Sequence, residues 1–106
     1  MLLTPELLGA DIDDGIENLL SAISFLRTLP EAPVEIRVFA TGSNHFHIVC
    51  SLKTSIPLRV MMGDDPNRIA YSKRRGNGDG FYWDYLSEEK NGKKRVRCEL
   101  LEGLYG

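Results

Sequence analysis

Apolar and polar positions in the first third of the chain follow two different periods, one after the other. Residues 7–13 (LLGADID) form an apolar run that ends in acids, which is typical of a buried strand. Apolar residues then recur every three or four positions up to residue 29, which predicts an amphipathic helix. Asp14 is its expected N-cap, Glu17 the capping-box partner, and Pro30 ends it. The pattern therefore predicts a strand followed directly by a helix.

A β-hairpin is predicted next. Residues 34–40 alternate apolar and charged positions, residues 41–44 form a turn, and residues 45–52 return as a second strand. Side chains alternate across a strand, so this second strand has two distinct faces. We expect Phe46, Ile48 and Cys50 on one face, and His45, His47, Val49 and Ser51 on the other.

The rest of the chain is more polar, and its elements are shorter. The predicted elements are a helix at 55–62 closed by Gly63, a turn at 64–68, a polar loop at 73–80 (KRRGNGDG), strands at 81–86 and 94–101, and a hairpin turn at Asn91-Gly92.

This order of elements predicts an α+β fold, a two-layer sandwich of the ferredoxin or RNA-recognition type. We expect a mostly antiparallel sheet with helices on one face and a C-terminal β-hairpin. The opposite face would be left for binding. A length of 106 residues predicts a single domain spanning 1–106.

Composition narrows the class of protein further. No apolar stretch approaches the roughly 18 residues that a membrane span needs, and Pro5 and Glu6 interrupt the N-terminal run. We therefore expect a cytoplasmic protein without a membrane partner. Cys50 and Cys98 lie in strand-like segments without a CxxC pair, which predicts buried thiols and no structural zinc site.

Charge is divided unevenly along the chain. The net charge is −2, with −5 on residues 1–52 and +3 on residues 53–106. An acidic half beside a basic half suits a metal site next to a phosphate-binding surface. Solvated charge on both halves explains the same numbers equally well.

Two pairs of residues hold most of the candidate chemistry. Asp11 and Asp13, and likewise His45 and His47, stand two positions apart, so each pair shares one face of its strand. If the two strands are neighbours, carboxylates and imidazoles converge on one patch. Carboxylate oxygens suit Mg²⁺ or Mn²⁺. The simpler alternative is that Asp13 and Asp14 only cap the helix and His47 is a hydrogen-bonded, partly buried residue.

These runs resemble motifs of the archaeo-eukaryotic primase superfamily. LLGADID is similar to its first motif, apolar residues followed by two alternating acids, and ATGSNHFHIV (40–49) to its second, a small residue and then a histidine on a strand. The stretch LRVMMGDDPNRIAYSKRR (58–75) is similar to a segment of small proteins from archaeal plasmids and viruses, which suggests a virus or plasmid as the source and a host cytoplasm as the location.

The resemblance implies a replication-linked protein that binds nucleotide or DNA with Mg²⁺ or Mn²⁺, and transfers nucleotides if it is active. A partner subunit and a homodimer are both compatible with it. Asp11 and Asp13 would be metal ligands, and His47 would contact the incoming phosphates, so these three are the candidate catalytic residues. Further contacts to substrate or nucleic acid are expected from Ser43, His45, Arg68, Lys73, Arg74 and Arg75.

One departure from the primase pattern concerns its third acid. The pattern expects this acid near Tyr71-Ser72, at the start of a strand, and this chain has Ser72 there. The acids that remain as substitutes are Asp64, Asp65, Asp79 and Asp84. A reduced or inactive relative is therefore as compatible with the sequence as an active polymerase.

Two other functions stay open. His45-Phe46-His47 also resembles the His-hydrophobic-His motif of rolling-circle replication initiators, which implies a metal on both histidines and Tyr71 as the DNA-attacking nucleophile, although the sequence around Tyr71 looks like strand or loop. Alternatively, aromatic residues at 81–85 beside two basic segments indicate a non-catalytic nucleic-acid-binding or interaction module. Core packing accounts for at least two of those aromatic residues.

Overall fold

A computed structural model describes residues 2–4, 6–13, 15–33, 35–40, 45–75, 84–85, 89–90, 93–94 and 96–97. Its helices are α1 (Ile16–Thr28), α2 (Ile56–Met62) and α3 (Pro66–Arg75). Its strands are β1 (Leu2–Leu3), β2 (Leu8–Ile12), β3 (Ile36–Ala40), β4 (Phe46–Cys50), β5 (Asp84–Tyr85), β6 (Glu89–Lys90), β7 (Lys93–Lys94) and β8 (Val96–Arg97).

The main sheet has the order β2-β4-β3-β8, and every neighbouring pair in it is antiparallel. Strands β2 and β3 are joined by α1, and β4 lies between them. The first and third predicted strands are therefore neighbours, as the sequence required for a shared site. The two-layer α+β class is confirmed. Strand β8 extends the sheet beyond β3, at the edge opposite β2.

Helices α1 and α2 cover one face of this sheet. Phe46, Ile48 and Cys50 point into a core that also contains the inward positions of α1, so the predicted facing of β4 is confirmed. That stripe of α1 consists of Leu19, Ala22, Ile23 and Leu26, all of them buried. Cys50 is a free thiol, and its burial raises its pKa to about 12.

A second, smaller apolar cluster covers part of the opposite face. Leu3 and Val49 are both fully buried there, with Leu7 and Phe39 packed around them. Strand β1, which carries Leu3, pairs with β5 and was not predicted. The expectation that this whole face is left for binding is therefore wrong.

Two helix predictions differ from the structure. Helix α1 has Gly15 as its N-cap, with φ of 97° and no side-chain cap, one residue after the predicted N-cap; Asp14, on which the predicted capping box depends, lies outside the described residues. Residues 66–68 of the predicted turn and residues 73–75 of the predicted loop at 73–80 belong to α3, a helix of ten residues. Lys90 pairs with Lys93 in antiparallel strands, and the predicted turn residues between them, Asn91 and Gly92, lie outside the described residues.

Much of the C-terminal region lies outside the described residues. This includes the aromatic segment 81–83, most of the predicted strand at 94–101, and Cys98. Within the described ranges, no helix has both the length and the apolar character to cross a membrane.

Candidate metal centre

Asp11 and His47 lie directly opposite each other on β2 and β4. Opposed residues of antiparallel strands project to the same face, and their side chains are neighbours. Here His47 Nε2 is 3.5 Å from Asp11 Oδ1. One step beyond the end of β2, Asp13 Oδ1 is 3.1 Å from Nδ1 of His45. The structure therefore brings the predicted acids and histidines together as two Asp–His pairs.

The two pairs differ in their access to solvent. The side chains of His47 and Asp11 are only 4% and 17% exposed, whereas those of His45 and Asp13 are both 39% exposed. A ligand from solvent therefore reaches the outer pair, His45 and Asp13, first. His47 lies underneath, where its contact with Asp11 limits the orientation of that carboxylate.

The connection between α2 and α3 runs along the outer edge of β2. The Asp11 amide donates to Asp64 Oδ1 at 2.7 Å, and the Asp11 carbonyl accepts from the Asp65 amide at 3.1 Å. Both backbone groups of Asp11 thus point away from β4. The Asp11–His47 pair is consequently a non-hydrogen-bonded pair, the type in which opposed side chains approach most closely.

This connection adds Asp65 to the two predicted acids. One carboxylate oxygen from each of Asp11, Asp13 and Asp65 lies within 4.8 Å of the other two. All three residues are partly buried. Asp11 belongs to β2, Asp13 to the link between β2 and α1, and Asp65 to the link between α2 and α3. The cluster could hold a metal ion, and it supplies only oxygen ligands.

Asp64, the preceding residue, has a different environment. Its side chain is completely buried and accepts hydrogen bonds from Arg59 Nε at 2.7 Å and from Arg68 Nη1 at 2.7 and 2.8 Å. Arg59 is also completely buried, and its Nη1 donates to the Ser72 hydroxyl at 2.7 Å. Asp64 is thus the centre of a buried network that holds α2, α3 and β2 together.

Local sequence explains why two consecutive acids diverge. Gly63 has φ of 82° and ends α2 in a Schellman motif: its amide donates to the Val60 carbonyl and the Asp64 amide to the Arg59 carbonyl. Asp65 then starts α3, because its Oδ1 accepts from the Asn67 amide at 2.8 Å and Pro66 occupies the first helical position. The left-handed turn sends Asp64 inward and leaves Asp65 beside Asp11.

The predicted phosphate-binding residues of α3 do not all lie in one environment. Arg68 is paired with Asp64 and is 15% exposed, so it contributes to the buried network. Lys73 and Arg74 are exposed, and the Arg74 guanidinium lies 5.8 Å from the ring centre of Tyr71, itself 56% exposed. Ser43 lies outside the described residues, as does the side chain of Arg75.

Ser72 and Tyr71 lie on α3, and the expectation of strand or loop at this point is wrong. Ser72 is fully buried against Arg59. An acid at position 72 would therefore point into the buried network and not towards Asp11. Of the four candidate substitutes, Asp65 is the one that joins the cluster and Asp64 belongs to the network. Asp84 lies in β5 opposite Leu3, and Asp79 is outside the described residues.

Sequence reasoning named Asp65 only as one of several acids. The signal that singles it out is the Gly-Asp-Asp-Pro run at 63–66. Glycine ends one helix and proline begins the next, so the acid before the proline is an N-cap at a tight corner. This corner lies beside the end of β2 because of tertiary packing, and no local sequence pattern predicts that position.

The chain was also compared with known proteins. No protein-family model, no curated protein and no solved structure matches it.

Proposed function

We propose that the chain binds Mg²⁺ or Mn²⁺ through Asp11, Asp13 and Asp65, and that the bound ion holds the phosphates of a nucleotide or of DNA. The observation that carries the proposal is the convergence of three carboxylates from three separate segments. Three like charges at this separation repel each other, and a hard divalent cation removes that repulsion.

Ion size is compatible with the cluster. Ligands on opposite sides of a Mg²⁺ ion at about 2.1 Å are about 4.2 Å apart. The carboxylate oxygens lie within 4.8 Å of one another, so small side-chain rotations bring them to a common ion. Mg²⁺ usually keeps several waters or substrate oxygens among its ligands. Three carboxylates leave positions for phosphate oxygens.

The histidines have different roles in this proposal. His47 is almost completely buried beside Asp11, which favours a role in orienting that carboxylate over direct contact with a phosphate. His45, at the more exposed edge, is the better candidate for a phosphate contact. Lys73 and Arg74 on the exposed side of α3 would add favourable charge for a polyanion.

The resemblance to the primase superfamily agrees with this proposal. It would make the chain a minimal, replication-linked relative that works as a nucleotidyltransferase, or that binds nucleotide or DNA without catalysis, alone or with a partner subunit. Asp65 would then supply the acid that the sequence lacks at Ser72. Two-metal transfer is the chemistry that the resemblance implies, with one ion activating the attacking hydroxyl and the other stabilising the leaving group.

A direct test is to titrate the protein with Mn²⁺ and follow the loss of the free-ion signal by electron paramagnetic resonance. We expect saturable binding of Mn²⁺ by the protein in the absence of any nucleotide. Asp65→Asn should weaken it by more than the roughly 10–100-fold typical of changes around the direct ligands. Glu31→Gln, an exposed acid outside the cluster, is the matched control and should bind as the parent does. Unchanged binding in Asp65→Asn would contradict the proposal.

One observation favours a second candidate, the rolling-circle type of nicking enzyme. This resemblance implies a tyrosine on a helix with a lysine four residues further on, and Tyr71 is exposed on a helix with Arg75 at that spacing. Against it, no cluster of metal-ligand type joins both histidines to an acid among the described residues. A covalent adduct with single-stranded DNA that disappears in Tyr71→Phe would support this candidate. Salt-sensitive DNA binding without any metal would favour a non-catalytic module instead.

A further inference from the structure

A pocket of about 310 Å³ lies between α1 and the C-terminal end of α2. Such a volume is at the lower end of the range of small-molecule sites, roughly 300–1,000 Å³. Asn18 and Ser21 line it on the α1 side together with the apolar Ala22, and Val60, Met61 and Met62 line it on the α2 side.

Packing among the residues that the structure describes does not explain the apolar wall of this pocket. Val60 and Met61 are 55% and 66% exposed, whereas Met62 beside them is buried in the core. Scattered exposed apolar residues are ordinary, but these two are consecutive and line the same pocket. Methionine is flexible and polarisable, which suits it to contacts with a flat ring. The α2 wall can therefore contact an apolar or aromatic ligand surface.

The opposite wall supplies hydrogen-bonding groups. Asn18 and Ser21 are exposed residues three positions apart on α1, so they lie on one face of the helix. An amide and a hydroxyl both donate and accept hydrogen bonds. Together the two walls fit a ligand that has flat, apolar faces and polar groups along its edge.

Asp13 connects the pocket to the acidic cluster. It lines the pocket and also belongs to the group of three carboxylates. A ligand anchored by phosphates on a cation at Asp13 would therefore have its remaining part next to this pocket. We propose that the pocket receives the nucleoside part of a nucleotide whose phosphates are bound by the cation on Asp11, Asp13 and Asp65. This inference rests on the proposed function and names its substrate class.

The test compares a nucleotide with its phosphates alone. Isothermal titration calorimetry in the presence of Mn²⁺ measures binding of ATP, GTP, CTP and UTP, and of inorganic tripolyphosphate. If the pocket holds the nucleoside, at least one nucleotide should bind about tenfold or more tightly than tripolyphosphate. Without a nucleoside site, charge alone governs binding, and all of these ligands should bind alike.

A pocket-filling substitution locates the effect. Ser21→Trp places an indole in the pocket, and Ser24→Trp places one on the same helix at an exposed position outside it. We expect Ser21→Trp to reduce nucleotide affinity to the level of tripolyphosphate, with tripolyphosphate affinity unchanged. Ser24→Trp should retain the preference for the nucleotide. Circular dichroism melting checks that both variants fold.

The outcomes separate this inference from the proposed function. Equal affinities for nucleotide and tripolyphosphate, or equal behaviour of Ser21→Trp and Ser24→Trp, would overturn the nucleoside pocket and leave the cation site standing. Nucleotide binding that is lost in Ser21→Trp but needs no Mn²⁺ would overturn the cation site and keep the pocket. Failure to bind any of these ligands would overturn both.

Discussion

Asp64 and Asp65 are adjacent in sequence, but Asp64 belongs to the buried hydrogen-bond network and Asp65 to the carboxylate cluster. Asp64 is fully buried, and both of its oxygens accept from guanidinium groups of Arg59 and Arg68. Asp65 is partly buried, and one of its oxygens lies in the carboxylate cluster. The first acid stabilises the fold through charge-assisted hydrogen bonds. The second adds negative charge where negative charge is already concentrated.

This difference predicts opposite effects of the same substitution. Asp64→Asn leaves the buried guanidinium of Arg59 without its counter-charge, which should lower the free energy of unfolding by about 3–5 kcal/mol. Asp65→Asn keeps an oxygen that can cap α3 and removes one of three repelling charges. It should leave the free energy of unfolding unchanged or slightly higher. Urea denaturation followed by circular dichroism measures both.

Each variant serves as the control for the other, because the two substitutions are identical in chemistry and one residue apart. A loss of several kcal/mol in Asp65→Asn would mean that this carboxylate is structural. A negligible loss in Asp64→Asn would mean that the Arg59 network contributes little to stability, as some buried ion pairs do.

At the scale of elements, strands β2, β3 and β4 were predictable, and the helices α2 and α3 were only partly so. Alternation in residues 45–52 determined which side chains of β4 face the core, and the Asp11–His47 pairing followed once β2 and β4 were neighbours. Helix α3 was missed because its inward positions are mostly polar: Ser72 and Arg68 are satisfied by the network, and Ile69 is its one buried apolar residue. A periodicity search depends on apolar residues and cannot detect such a helix.

The candidate site, like the secondary structure, was predictable only in part. Asp11, Asp13, His45 and His47 stand at fixed spacings on two strands, so the assumptions needed were that those strands are neighbours and that their register places Asp11 opposite His47. Asp65 reaches the cluster only because α2 and α3 pack so that their connection runs beside β2. That arrangement depends on the contact between the Asp11 amide and the buried Asp64 carboxylate, a long-range interaction that no local pattern reveals. Ser43 and the side chain of Arg75 remain predictions.

The C-terminal end of α2 sets the path of the connection between α2 and α3. This path requires a left-handed backbone conformation at Gly63. Gly63 has φ of 82°, and a Cβ added there would meet nothing within 4 Å. Gly63→Ala should therefore cost about 1–2 kcal/mol of unfolding free energy, entirely from left-handed backbone strain. Gly63→Asn should cost less, because asparagine adopts this conformation more readily. Chemical denaturation of both variants measures the difference.

Equal losses of unfolding free energy in Gly63→Ala and Gly63→Asn would contradict this explanation. It attributes the loss to backbone strain alone, and asparagine should relieve part of that strain. If strain is the cause, Gly63→Asn should also retain cation binding, because the connection that carries Asp65 keeps its path.

For the whole molecule, a cation at the cluster would join the sheet to the helical layer. Asp11 belongs to β2, Asp13 precedes α1, and Asp65 lies between α2 and α3. The three carboxylates come together only in the folded chain, so an ion that binds them stabilises the native state by mass action. At a concentration 100 times its Kd, the gain is about 2.7 kcal/mol. For a chain of this size, that gain corresponds to a rise in Tm on the order of 10 °C.

Thermal unfolding in Mn²⁺ or Mg²⁺, compared with NaCl of equal ionic strength, measures this rise. The sodium reference matters because salt alone screens the repulsion among the carboxylates. Asp65→Asn should unfold at the parent's temperature or slightly above it in NaCl, and should lose most of the rise in divalent cation. Glu31→Gln should behave as the parent does. A rise of equal size in Asp65→Asn would show that the stabilising ion binds elsewhere on the protein, because the cluster then lacks one of its charges.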